Sequence, residues 1–222
     1  MSSQPARRGR GRPRAATRGE VETVAIELMQ RHGYESVSVD AIVEAAGIGR
    51  TTFFRYFGTK PGVIWCAFDE TIVWLEAELR AAPAEADGDA DAGVMGAVRA
   101  AVVSSTRSAV FSSDVWLERF HILDTSPSLY IGAYEHWERW KRVIAEYLAR
   151  HAGGSPGDAL PMAAAGACQG VFIAELRDWI NSDAGRDAFL ERLDQNLARV
   201  TTVLAELFHP TGSGTGATGR RA

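Results

Sequence analysis

The sequence predicts an all-α fold, on three observations. Apolar residues recur at three- and four-residue steps through most of the chain. Nowhere do apolar and polar residues alternate with the period of two that a half-buried strand needs. The periodic segments are bracketed by helix punctuation: Ser38, Thr59 and Ser126-Pro127 at starts, Gly33 and Gly47 at stops. About nine helices result, three short ones near the N-terminus and longer ones after them. With 222 residues and 46% hydrophobic content the chain is long enough and apolar enough to bury a sizeable core.

Residues 1–14 are a Gly/Pro/Arg arm without apolar periodicity, which reads as disordered. From Ala15 to His32, Val21, Val24, Ala25, Leu28 and Met29 form one helical stripe, and Gly33 stops it. Ser38 caps a second short helix through Ala46, which Gly47 ends. A third runs from about Arg50 to Phe57. Thr59 caps a fourth, with Pro61 close to its first turn. That helix continues to about Ala82, where the acidic "PAEADGDADAG" breaks it. Further helical patterns cover 92–110, 114–124, 127–151, 159–182 and 186–208, with "HAGGSPGD" as a loop. The tail 209–222 reads as flexible. It contains Gly214, Gly216 and Gly219 at dinucleotide-fingerprint spacing, but neither strand nor helix flanks them, so no cofactor is implied.

Charge is unevenly spread. Net charge is −4, yet through Lys60 there are ten bases against six acids, and the other 162 residues carry 14 bases and 22 acids. A basic head on an acidic body predicts that one end meets a polyanion. Cys66 and Cys168 lie in helical apolar patterns, far apart, and read as core thiols. His32, His121, His136, His151 and His209 show no metal spacing. No zinc-protease, nucleophile-elbow or phosphate-loop motif occurs, so an enzyme is not expected. No apolar stretch of the signal-peptide kind follows the basic N-terminus, and no apolar run approaches a membrane span; a cytoplasmic protein without membrane contact is the expectation.

The stretch "GIGRTTFFRYFGTK" packs aromatics and cations together. Placed on two helices joined by Gly-Ile-Gly, it separates them. The second helix buries Val39, Ile42, Val43 and Ala46; the third buries the i,i+4 pair Phe53 and Phe57; Ile48 plugs the corner. The third helix's other face presents Arg50, Thr51, Phe54 and Arg55, with Thr52 and Tyr56 at its edges. This is the division of labour of a helix-turn-helix, with one face packing the corner and the other entering the major groove. Arg forks onto guanine O6 and N7, and Thr or an aromatic touches the thymine methyl. Tyr56 and Lys60 are placed for phosphates. The bland alternative is a small amphipathic helix with a solvated polar face. In the arm, Arg10-Gly11-Arg12-Pro13 resembles the core of an AT-hook, an element suited to narrow minor grooves; the alternative is a basic solubilising tail. The candidate DNA-contacting residues are thus Arg10, Arg12, Arg14, Arg18, Ser38, Arg50, Thr51, Thr52, Phe54, Arg55, Tyr56 and Lys60.

Residues 18–65 resemble the DNA-binding domain of the TetR family of bacterial transcriptional regulators. The resemblance rests on Gly33-Tyr34, Ser38-Val39, Ala46-Gly47-Ile48 and Phe57 with Lys60, and covers about a quarter of the chain. Three positions depart from the family pattern: Val43 where Ala is usual, Gly49 where Ser caps the third helix, and Phe54 where Tyr supplies a phosphate-binding hydroxyl. Within the family, "GI-x-R-x-T-x-FRYF" with Trp65, Phe68 and Asp69 looks most like the actinobacterial mycofactocin-associated branch, which is similar in sensing long-chain acyl-CoA.

The resemblance implies a helix-turn-helix domain over 15–60 and a ligand-binding and dimerising domain over 61–208. In the latter, Tyr130, Tyr134 and Trp137 share one stripe of 127–151, with Trp140 and Tyr147 beside it. Trp65, Phe68, Trp116, Phe120, His121, Tyr134, Trp137 and Phe172 are the candidates to line an apolar effector cavity; ordinary bundle core is the alternative. Arg107, Arg119 and Arg177 sit near aromatic positions and read best as solvated charges. Ala163, Ala164, Ala165, Gly166, Ala167 and Gly170 allow close helix approach, in a dimer or within one subunit.

The function expected is a homodimeric repressor on a near-palindromic double-stranded operator, released by a small apolar effector such as a long-chain acyl-CoA. Effector binding is expected to shift the fourth helix and change the half-site spacing. The rival reading is a non-specific architectural DNA-binding protein that uses the Arg-rich arm.

Overall fold

The computed structural model describes residues 16–82 and 93–208, and within these every regular element is helical. Nine α-helices are present among the described residues, followed by one 3₁₀ turn. The arm residues Arg10, Arg12 and Arg14, the acidic break after Ala82 and the Gly-rich tail lie outside the described residues.

Helix α1 spans Arg18–His32. Thr17 and Glu20 form a reciprocal capping box, and the Gly33 N–H donates to Met29 O at its end. Its buried face is Val21, Glu22, Ala25, Ile26 and Met29. Val24 and Leu28, expected in that stripe, are only partly buried, and a carboxylate takes part instead. Helix α2 spans Val39–Ala45 and starts at Ser38, whose hydroxyl accepts from Ala41 N at 3.1 Å. A turn with Gly47 at φ 63° leads into α3, Arg50–Phe57. Helix α4, Gly62–Ala81, begins so close to α3 that a Cβ on Gly62 would stand 1.9 Å from Phe57 O. Thr59 Oγ1 accepts from Gly62 N at 3.1 Å, but the cap position falls on Pro61, two residues later than expected.

Five longer or irregular elements complete the body: α5 Val94–Ser112, α6 Glu118–Thr125, α7 Pro127–Ala152, α8 Ala159–Ile180 and α9 Arg186–Ala205, with the 3₁₀ turn Glu206–Phe208. Helix α6 starts later than the expected residue 114. Val115, Trp116 and Leu117 are buried in succession in turns that Ser113 holds, its hydroxyl accepting from Val115 N and its carbonyl from Trp116 N. Helix α5 packs between α4 and α9, and α7 packs between α4 and α8; α8 also meets α9. The three short helices sit at one end, where α1 touches α4 and α6.

One expectation about the body is corrected. Helix α8 is long and apolar enough to cross a membrane by length and composition, with mean hydropathy 1.4 in its best window, although no such run was expected. It packs on α7 and α9 with Glu175 buried against Arg192 and Asn196, as a core helix does. Of the aromatic stripe of α7, Tyr130 and Tyr134 are 65% and 70% exposed, whereas Trp140 and Tyr147 are buried. Of the two thiols, Cys168 is fully buried and Cys66 half-buried.

Candidate functional site

The two-helix corner is built as the aromatic pattern requires. Phe53 is fully buried and Phe57 nearly so, their rings 5.3 Å apart, against Ile42 and Val43 of α2. Ile48 is half-buried, and its N–H donates to Val43 O at 3.0 Å, which closes the turn. The larger Val43 is accommodated without exposure of the corner.

The opposite face of α3 is open. Arg50, Thr51 and Arg55 are exposed, Phe54 is 42% exposed, and Thr52 and Tyr56 sit half-buried at the edges. Three side chains on this helix, and Lys60 just beyond it, are held in place. Arg50 pairs with Asp40 of α2 and lies 5.7 Å from the Phe54 ring; the Arg55 guanidinium lies 5.3 Å from the Tyr56 ring. Tyr56 OH donates to Ala16 O at 3.1 Å, which fixes the chain entering α1. Lys60 Nζ donates to Tyr34 O at 2.6 Å and sits 4.0 Å over that ring. Burial lowers its ammonium from the ordinary value, so in this structure Lys60 ties α3 to the α1–α2 loop rather than standing free. Arg18 pairs with Glu70 of α4, and Ser38 uses its oxygen as the α2 cap.

The junction between this end and the body contains a group that sequence reading placed in solvent. Arg119 of α6 is fully buried. It donates to Glu22 Oε1 at 2.7 Å, Ile64 O at 3.0 Å and Trp116 O at 2.8 Å, and so joins α1, α4 and α6. No local pattern points to a partner 97 residues away, so the sequence carried no signal for it. Gln30 to Glu118 at 2.7 Å and Ser128 to Glu35 brace the same junction.

An open cavity of about 270 Å³ lies between α6, α7 and α8. Of the candidate lining residues, Phe120, Tyr134 and Trp137 face it, together with Leu123, Tyr130, Ala133, Gln169, Ile173, Leu176 and Ile180; Asp124, Glu138 and Arg177 are its charged groups. The α8 contributors Gln169, Ile173, Leu176 and Ile180 recur at helical steps, a signal that an aromatic-only search missed. Phe68 packs edge-on behind Trp137 at 4.6 Å, and Phe172 follows at 6.0 Å. Trp116 packs on Phe120 at 5.1 Å. These three are buried wall, not lining. Trp65 stacks on His136 at 4.2 Å and 6°, away from the cavity, and His136 Nδ1 is 2.8 Å from Asp69 Oδ1. His121 is half-buried against Trp179 and does not line the cavity either. Two roomier clefts, of about 410 and 420 Å³, are edged by Arg80, Arg150 and His151 or by Arg99 and Arg107. Of these three, the cavity between α6 and α8 has the most aromatic wall.

This arrangement has known counterparts. The profile for "Bacterial regulatory proteins, tetR family" matches residues 23–64, and that for the "MftR C-terminal domain" matches residues 92–205. The candidate mycofactocin biosynthesis transcriptional regulator MftR of Mycobacterium tuberculosis is 30% identical over 174 residues, 78% of this chain and 85% of that protein. The HTH-type transcriptional repressor ComR of Escherichia coli is 34% identical over 71 residues, 32% of this chain and 34% of its own length. The same fold occurs in the fatty acid degradation regulator FadR of Bacillus halodurans (TM-score 0.57, 17% identity, 84% of this chain and 96% of that one). It also occurs in a TetR-type regulator of Mesorhizobium loti (TM-score 0.52, 17% identity, 86% and 94%). The chain therefore belongs to the TetR family of bacterial regulatory proteins, as a transcriptional regulator with an N-terminal DNA-binding domain.

Proposed function

We propose that the chain is a homodimeric repressor whose operator release is driven by an apolar effector seated between α6, α7 and α8. Residues 15–60 form the reading head and 61–208 the sensing and dimerising body, acting in the cytoplasm where the DNA is. The observation that carries the reading is the exposed face of α3: Arg50, Thr51, Phe54 and Arg55 stand out on a helix whose other face is sealed by Phe53 and Phe57. That combination of donors and apolar surface suits base edges in the major groove.

Dimerisation is supported by the outer surface of α8 and α9. Ala163, Ala167, Gly170 and Ala174 leave α8 flat at the surface, and Val203 and Leu207 are 68% and 55% exposed beside it. Two copies would bury this patch isologously.

Long-chain acyl-CoA is the effector class we favour. A cavity at the lower edge of small-molecule pockets takes part of an acyl chain, and the rest emerges past Tyr130 and Tyr134. Arg177 at the rim offers a cation to an anionic group. Helix α6 carries both cavity wall (Phe120, Leu123) and the buried Arg119, so displacement of α6 reaches α1 and α4. The effector acts only through its differential affinity for the two states. Palmitoyl-CoA titrated against the operator complex is the test. Release that saturates with quenching of Trp137 fluorescence, and that Ala133→Trp abolishes, supports the reading; an operator complex indifferent to acyl-CoA rejects this effector class.

A further inference from the structure

Arg50 is the first residue of α3, and no acid follows in that helix's first turn. A cation there opposes the partial positive charge of a helix N-terminus. The cap residue Gly49 adds no side-chain hydrogen bond. The compensating carboxylate comes from the other helix of the motif: Asp40, in the first turn of α2, accepts from Arg50 Nη1. One turn along α3, Phe54 supplies a ring face 5.7 Å from the guanidinium. Both charged side chains are mostly exposed, 58% for Arg50 and 69% for Asp40, so the pair adds little to folding. A carboxylate on a surface destined for phosphates also weakens attraction to DNA of any sequence.

We propose that Asp40 is a positioning residue for sequence discrimination. It holds the Arg50 guanidinium in one orientation against Phe54, so that Arg50 reads a base edge. Released, the same long side chain pairs with whichever phosphate is nearest, on any sequence. Held, the Asp40–Arg50 pair is net neutral and contributes nothing to counterion release. Asp40 thus lowers affinity for all DNA and lowers it most for wrong DNA, which is how specificity is gained by a repulsive element. The inference rests on α3 being the groove-facing helix.

The test compares the full chain with Asp40→Asn, Asp40→Glu and Arg50→Ala, each checked for an unaltered thermal midpoint. Two quantities are read: the base preferences selected from random duplexes, and the salt dependence of binding to a non-operator duplex. Asp40→Asn is expected to bind non-operator DNA more tightly, with a log K against log salt slope steeper by about 0.9, one added phosphate contact. It should also lose, by on the order of tenfold, the preference at the base-pair position that Arg50→Ala loses. Asp40→Glu should keep it. Unaltered preferences and slope in Asp40→Asn overturn the proposal. So does uniformly weaker binding with a lowered thermal midpoint, which would make Asp40 a support of α2 alone. A wild-type chain that selects no motif overturns sequence-specific reading itself, and this proposal with it; a wild-type motif that Asp40→Asn retains in full overturns this proposal only.

Discussion

Arg119 Nη2 lies 2.7 Å from Glu22 Oε1, with side-chain exposures of 0% and 8%. Among the described residues the pair is a buried charged contact of α6, and it spans the junction between the N-terminal helices and the rest of the chain. Desolvation lowers the Arg119 guanidinium from its ordinary value, and the Glu22 carboxylate opposes that shift. Removing one partner leaves an uncompensated buried charge. Arg119→Met is therefore expected to cost about 3–5 kcal/mol. Arg119→Met with Glu22→Gln should cost clearly less than the sum of the two single changes. Urea unfolding of the four chains measures this, and strict additivity would mean that the two groups are not coupled.

The approach of α3 to α4 depends on Gly62. An added Cβ would lie 1.9 Å from a backbone oxygen, which cannot swing away as a flexible side chain does. Gly62→Ala is expected to cost about 1–3 kcal/mol and to lower the thermal midpoint by several degrees. An unshifted midpoint in calorimetry would place the two helices further apart than they are here.

Arg55 is exposed on α3, with its guanidinium over the Tyr56 ring. Arg55→Ala should weaken operator binding by about 1–3 kcal/mol while leaving stability within about 0.5 kcal/mol. Fluorescence anisotropy on a labelled operator, beside a melting curve, separates the two. Unchanged affinity would remove Arg55 from the groove-facing set.

Alkaline pH should destabilise the fold through Cys168. Burial pushes this thiol from 9.0 up to about 12. Between those values the unfolded chain gives up the proton and the folded chain keeps it. The thiol's contribution is therefore complete below about pH 9 and declines as pH rises, at about 1.4 kcal/mol per unit at most. Tyr34, raised from 10.0 to about 12 by burial and by Glu35, adds the same sign above pH 10. Urea midpoints from pH 8 to 10.5 should fall less steeply in Cys168→Ala than in the wild type. Parallel curves would mean that the thiolate forms in the folded state.

What the sequence disclosed and what it withheld divide along contact range. The bounds Arg50–Phe57 were legible because Gly49 and Gly58 bracket an i,i+4 aromatic pair, all of it local. Ser38 was legible as a cap for the same reason. Arg119 was not, because its partner is fixed only when α1 and α6 meet. The stripe Tyr130–Tyr134–Trp137 was visible, but not how far each residue is covered: the first turns of α7 are largely exposed, and both tyrosines line the cavity while open to solvent. Trp65, Phe68, Trp116 and Phe172 carry the residue types of a lipid-binding wall, but Phe68, Trp116 and Phe172 pack behind it and Trp65 stacks on His136 elsewhere. Aromatic content alone cannot separate lining from backing; only helix position can.

The central claim is that this chain reads a specific duplex sequence as a dimer. Selection from a random duplex library at physiological salt, sequenced after several rounds, tests it most directly. An enriched inverted repeat, with half-sites spaced by about one helical turn or more of DNA, is the predicted result. Retention of DNA without any enriched motif would contradict it and leave a basic, sequence-blind DNA-coating protein in its place.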